Sequence, residues 1–227
     1  MKKTISIIIA LLTIAQLNVF AYSDISDAQF LNKIETLSAY NIVSGYEDGT
    51  FRPNNNITRA EFCKLIMCAT MNDYVDNYDK CFVDVSENFW AEKYIYAAKS
   101  LGVVVGTTEA TFEPDSNITN EQAVKMIVCA LGYGEEAAES GGYPNGYIKV
   151  ANKLGITSNM TIDYKKTSTR REVAELIYNI LDVEYYFISL TDDGTVEKNK
   201  SESTLREFYE FLNDADDEVI SDENTVG

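Results

Sequence analysis

Thr58-Arg59-Ala60-Glu61, Thr119-Asn120-Glu121-Gln122 and Thr169-Arg170-Arg171-Glu172 each follow a polar loop and open an apolar helical run. Thr followed three residues later by Glu or Gln is a capping box, in which the hydroxyl and the carboxylate or amide satisfy opposite orphan N–H groups of a new helix. Aligned on their threonines, the three helices keep one apolar face: Phe62, Ala123 and Val173, then Leu65, Met126 and Leu176, then Ile66, Ile127 and Ile177, and last Ala69, Ala130 and Ile180. Within each helix these positions fall at i, i+3, i+4 and i+7, the stripe of an amphipathic helix. A unit of roughly 50 residues buries too little surface to stand alone. The pattern therefore predicts three helices sharing one three-helix core.

The upstream halves repeat as well. Gly45-Tyr46-Glu47-Asp48-Gly49-Thr50-Phe51 aligns with Gly106-Thr107-Thr108-Glu109-Ala110-Thr111-Phe112, with Pro53 and Pro114 two residues beyond each Phe. Asp-Gly is a turn signal, and the Phe is suited to anchor the loop. Weaker helices are expected over Ala28 to Tyr40, Trp90 to Leu101 and Gly146 to Leu154. Each ends in a similar tag: Asn41-Ile42-Val43, Gly102-Val103-Val104 or Gly155-Ile156-Thr157. The unit is helix, loop, helix, three times.

Arg59 and Arg170 occupy the first helical position, where a cation opposes the helix macrodipole. Helix propensity does not call for them. Free N–H groups of a helix N-terminus beside a guanidinium suit a carboxylate or phosphate. The competing expectation is an ion pair with Asp or Glu of a neighbouring repeat. Asn120 stands where the middle repeat would carry its arginine, and Glu121 beside it would repel an anion.

Residues 1–21 read as a secretory signal, with Lys2 and Lys3 before the apolar run Ile5 to Leu17 and Val19-Phe20-Ala21 at the cleavage point. That run is too short to favour a spanning helix, so no integral membrane segment is expected after cleavage. The remaining chain holds 17 basic and 36 acidic side chains, a net charge of −19, of which residues 183–227 contribute −10. Such a surface repels nucleic acid. Cys63, Cys68, Cys81 and Cys129 form no C-x-x-C pattern; three disulfide pairings are open to them, and free buried thiols are the expectation. The chain has no histidine, which removes Ser-His and Cys-His nucleophiles and His metal sites. Asp73, Asp76, Asn77 and Asp79 do not match an EF-hand loop and read as a solvated linker. No enzyme activity, cofactor or metal is expected.

The residues resemble the S-layer homology family of bacterial surface proteins. In the first repeat the match is Gly45-Tyr46-x-Asp48-Gly49-Thr50-Phe51-x-Pro53 with Ile57-Thr58-Arg59-Ala60-Glu61. The second adds Phe82-x-Asp84-Val85, Trp90-Ala91 and Leu101-Gly102-Val103. The third, Gly141-Gly142-Tyr143-Pro144-x-Gly146-Tyr147 with Ala151-x-x-Leu154-Gly155-Ile156-Thr157, is divergent and similar to clostridial-type third repeats. The resemblance implies an all-α fold, a pseudo-threefold prism with the capped helices as a central three-helix bundle and grooves between repeats. It implies a secreted protein at the cell wall or S-layer of a Gram-positive-type bacterium. The partner it implies is a secondary cell-wall polysaccharide, a peptidoglycan-linked glycan often carrying a pyruvate ketal. Arg59 and Arg170 would contact its anionic group. Gly45 would let backbone approach the sugar or would serve a turn with positive φ. Trp90 would stack on a sugar face or fill core. Asp24 and Asp84 would cap a helix or meet ligand hydroxyls. The groove at Asn120 would be weak or silent.

The boundaries that follow are a signal at 1–21, repeat 1 at 22–71, a linker and repeat 2 at 72–134, repeat 3 at 135–182 and an acidic, partly disordered tail at 183–227. In the tail, Glu184 to Leu190 reads as a strand, Ser203 to Leu212 as a short helix and Asp214 to Glu223 as disordered. The alternative function is a degenerate triplet serving as a protein-interaction scaffold in the cell envelope.

Overall fold

The computed structural model describes residues 22–70, 82–191 and 195–223. The signal stretch, Cys81 and the Asp73–Asp79 segment lie outside the described residues.

All three capping boxes form. Thr58, Thr119 and Thr169 each accept the N–H three residues on, and Glu61, Gln122 and Glu172 each accept the threonine N–H in return. They open α2 (Arg59–Ala69), α4 (Asn120–Ala130) and α7 (Arg170–Ile180). The weaker helices are α1 (Ala28–Ala39), α3 (Glu92–Ser100) and α6 (Asn145–Lys153), joined by a short α5 (Gly134–Glu139). The loop before α6 gave no sign of α5. It packs on α6 so closely that a Cβ on Gly146 would stand 2.0 Å from the Ala137 carbonyl oxygen.

Apart from α5 on α6, helices pack mainly between repeats rather than within them. The first helix of each repeat lies on the capped helix of the repeat before it: α3 on α2, α6 on α4, and α1 on α7. α2 also packs against α4 and α7. Phe62, Ile66, Ala123, Ile127, Leu176, Ile177 and Ile180 are fully buried. Leu65 departs from the expected stripe and is only partly buried.

A second device ties the repeats together. Ile57 N–H donates to Ser168 O at 3.2 Å, Ser168 N–H to Ile118 O at 2.8 Å, and Ile118 N–H to Ile57 O at 3.1 Å. These are equivalent positions in the three repeats, so the bonds close a ring.

The fold is not purely helical. After α7, β1 (Tyr186–Leu190) pairs antiparallel with β2 (Val196–Lys200), and α8 (Leu205–Glu223) follows. The Tyr-Tyr-Phe-Ile run suits a pleated strand better than a helix. Tyr185 and Leu205 are buried, so this segment adds to the core. Where disorder is expected from Asp214 to Glu223, α8 continues to Glu223. Among the described residues no helix is long and apolar enough to cross a membrane.

Candidate functional site

Two grooves lie at equivalent junctions. Groove 1, about 410 Å³, is lined by Asn41–Ser44, by Glu61, Lys64, Leu65 and Cys68 of α2, by Trp90, and by Arg170, Val173 and Ala174 of α7. Groove 2, about 230 Å³, is lined by Val103–Thr107, by Gln122, Lys125 and Met126 of α4, by Tyr143, and by Arg59. Each groove thus joins the tag and capped helix of one repeat, the arginine of the repeat before and an aromatic ring from the repeat after. Leu65 and Met126, assigned by periodicity to the core, line these grooves.

The expected helix-terminus anion site does not exist. The first two N–H groups of each capped helix are taken by carbonyls of a neighbouring loop: Arg59 and Ala60 by Ser116 and Pro114, Asn120 and Glu121 by Lys166 and Tyr164, Arg170 and Arg171 by Asn55 and Pro53. The third is taken by the capping threonine. Any anion must be held by side chains.

The arginines do not form the expected ion pair either. Arg59 Nε donates to Phe112 O at 2.8 Å, and its guanidinium lies 4.7 Å from the Phe112 ring centroid. Arg170 Nε donates to Phe51 O at 2.8 Å and Nη2 to Ser44 O at 3.1 Å, with the guanidinium 4.6 Å from the Phe51 ring. Among the described residues neither is paired with a carboxylate. Arg59 is only 6% exposed, and burial pushes its pKa below the usual arginine value. Its side-chain bonds among the described residues are confined to Nε, so the Nη groups remain for groove 2.

Asp24 and Asp84 neither cap a helix nor face a groove; the cap of α1 is Asp27. Asp24 accepts the N–H groups of Phe51 and Arg52 at 2.8 and 2.7 Å, and Asp84 those of Phe112 and Glu113 at 2.9 and 2.7 Å. Arg52 and Glu113 have φ of 57° and 59°, so each carboxylate pins a loop in the left-handed region. The Phe of that loop presents the carbonyl that orients the arginine.

Gly45 is not a positive-φ glycine. A Cβ there would lie 2.2 Å from the Tyr22 ring, so it is a close-approach site between loop and aromatic ring. Trp90 is 52% exposed at groove 1 rather than in the core.

The third junction is built differently. Asn120 is fully buried; its amide donates to Asp163 O at 3.0 Å and Glu172 at 3.3 Å, and its Oδ1 accepts the Ser168 hydroxyl at 2.7 Å. Ser168 replaces the isoleucine of the other repeats to make that bond. The position of Lys64 and Lys125 is held here by Glu175, which pairs with Arg171 at 3.3 Å, and Arg171 also bonds Asp27. Among the described residues, the hydrogen-bond partners of the Asn120 side chain include no cation.

Sequence reasoning overlooked Lys64, Lys125 and Tyr143. The lysines share one repeat offset, and Tyr143 precedes α6 as Trp90 precedes α3. Lys125 Nζ lies 5.4 Å from the Tyr143 ring. The Tyr143 hydroxyl donates to Glu121 at 3.1 Å, and burial with that bond pushes its pKa up to about 12. An unfolded tyrosine titrates near about 10. The phenol's contribution to stability is therefore intact below about pH 10 and is lost between there and about pH 12. Ultraviolet difference titration of wild type against Tyr143→Phe is expected to place the missing transition near about 12; a midpoint near about 10 would show the phenol is not held.

Cys63, Cys68 and Cys129 are free thiols. Cys63 is fully buried, and its pKa is pushed up by burial. Among the described residues no His, Cys, Asp and Glu group is arranged to hold a metal ion.

The family model for the S-layer homology domain matches residues 21–63 and 82–124. The chain is 30% identical over 161 residues to the Middle cell wall protein of Brevibacillus brevis, covering 70% of this chain and 15% of that protein. It is 29% identical over 193 residues to the Surface layer protein of Brevibacillus choshinensis, covering 80% of this chain and 17% of that one. A Cellulosome-anchoring protein of Acetivibrio thermocellus is 30% identical over 117 residues, covering 50% of this chain and 26% of that one. The chain thus spans a quarter or less of these relatives' length, or marginally more for the last.

Proposed function

Because the chain belongs to the S-layer homology family, we propose that it is held at the cell wall through an anionic secondary polysaccharide seated in grooves 1 and 2. It is a cell-surface protein of a Gram-positive-type bacterium. The observation that carries the reading is Arg59, a buried cation at the wall of groove 2 with no carboxylate partner among the described residues. A desolvated, unpaired guanidinium in a cleft favours an anion from outside.

Arg59 with Lys125 in groove 2, and Arg170 with Lys64 in groove 1, supply two cations per site on an otherwise acidic protein of net charge −17. Screening at physiological salt limits the long-range repulsion, and the site acts at contact. Tyr143 and Trp90 offer ring faces to a sugar. A carboxylate such as a pyruvate ketal fits the Nη groups of either arginine. Asp24, Asp84 and Gly45 act behind the grooves, holding the loops that aim the arginines. Two such sites on one body gain from effective concentration on a polymer. The Asn120 junction is a structural seam and takes no ligand.

The same reading arranges the repeats, with boundaries 22–71, 72–134 and 135–182, as a pseudo-threefold prism with α2, α4 and α7 as its central bundle. The ring of bonds through Ile57, Ile118 and Ser168 supports it. The test is co-sedimentation with purified wall fragments before and after removal of the secondary polysaccharide. Retention is expected on intact wall and not on stripped wall. Equal retention on both, or retention only by a wall protein, would favour the interaction-scaffold role instead.

A further inference from the structure

We infer that the C-terminal helix α8 is a positioning element for groove 1, acting through Tyr209. The Tyr209 ring stacks on Tyr40 with centroids 4.9 Å apart and planes 11° from parallel. Its hydroxyl donates to Cys68 O at 3.1 Å and to Ala69 O at 3.3 Å. Tyr40 is the C-cap of α1 and leads directly into Asn41–Ser44, one wall of groove 1. Cys68 and Ala69 close α2, whose Lys64, Leu65 and Cys68 form the facing wall. One side chain from the tail thus fixes the roots of both walls.

α8 is well anchored for this task. Leu205 is fully buried, Arg206 N–H donates to Leu181 O at 2.9 Å, and the Arg206 guanidinium makes a two-pronged contact with Asp182 at 2.6 and 2.9 Å. Carbonyls of a helix's last turn need partners from elsewhere, and the last turn frays first. The Cys68 carbonyl also accepts the Thr70 N–H, so Tyr209 adds a second donor at the end of α2. Among the described residues, the hydrogen bonds and ring contacts of Tyr209 lie at the groove 1 side and not at groove 2. α8 therefore bears on groove 1, whereas the end of α4 at groove 2 meets the β1–β2 hairpin instead, where Tyr186 N–H donates to Leu131 O at 3.0 Å.

This inference shares the grooves of the proposed function but is testable without a ligand. Hydrogen exchange of the full chain is measured for wild type, Tyr209→Ala, Tyr209→Phe and, as a control on the exposed side of α8, Phe211→Ala. In Tyr209→Ala, amides 41–44 and 65–69 are expected to exchange about tenfold faster while 103–105 and 126–130 do not change. Tyr209→Phe, which keeps the ring stack, is expected to affect 65–69 alone. Unchanged exchange in both segments, or equal acceleration at both grooves, would overturn the inference. A second arm uses wall polysaccharide as the probe, in Arg59→Ala (groove 1 intact) and Arg170→Ala (groove 2 intact) backgrounds. Adding Tyr209→Phe is expected to weaken binding about fivefold in the first background only. Equal weakening in both would reduce Tyr209 to a general stabiliser and overturn the inference. If neither background binds, the ligand reading fails while the exchange result still decides the role of α8.

Discussion

Alanine at both Arg59 and Arg170 is expected to lower binding to intact wall by at least about 100-fold. A hydrogen bond to a charged group contributes about 1.5–3 kcal/mol, and the double variant removes the charged contact from both grooves. The loss has two sources that must be separated, because Arg59 also bonds Phe112 O and packs on its ring. Arg59→Ala is therefore expected to lose about 1–3 kcal/mol of stability as well. Lys64→Ala with Lys125→Ala provides the separation. The described contacts of these lysines are ring contacts at 5.4 Å or more, and Lys64 is exposed. That pair is expected to weaken binding about tenfold with melting shifted by no more than about 2 °C. Binding isotherms beside thermal melts read both effects. Full binding by the folded arginine double variant would remove the arginines from the site.

Asp84→Ala carries the largest expected effect on stability. It leaves the N–H groups of Phe112 and Glu113 without their acceptor, at a loop where Glu113 holds φ of 59°. Two bonds to a charged acceptor are lost, for about 2–4 kcal/mol, or about 5–15 °C in melting temperature. The same peptide presents the Phe112 carbonyl to Arg59, so binding through groove 2 should fall with it. Asp24→Ala is expected to act alike through Phe51 on Arg170 in groove 1. Thermal melting of Asp84→Ala within about 1 °C of wild type would show that the loop holds its form without the carboxylate.

The parts of this architecture that depend on local chemistry were legible in the residues. Thr-x-x-Glu/Gln boxes form in all three helices because the two partners are within one turn of each other. The arginine positions were found, but their surroundings were misjudged. Nothing near Arg59 in the chain reveals that Ser116 and Pro114 arrive to occupy the helix N–H groups. Contacts between repeats are set by how the units interlock, which an alignment of the units with one another does not express. Leu65 shows the same limit: its helical phase fits the core, yet the junction leaves it at a groove. Asn120 and Ser168 substitute as a pair across a buried seam; Asn120 is visible as a departure from the arginine, but its link to Ser168 exists only in the fold. In the tail, the strand near Glu184–Leu190 and the helix from about Ser203 were legible, whereas the continuation of α8 over Asp214–Glu223 was not, because its acidic composition is that of a disordered segment.

The chain has one tryptophan, Trp90, and it stands at groove 1, so its emission reports directly on that site. The decisive measurement is titration of purified secondary wall polysaccharide into the protein, followed by Trp90 fluorescence, with the native polymer and with polymer whose anionic substituents have been removed. The native polymer is expected to change the emission saturably and the neutralised polymer to leave it unchanged. The same saturable change with both would contradict a cationic groove built to hold an anion.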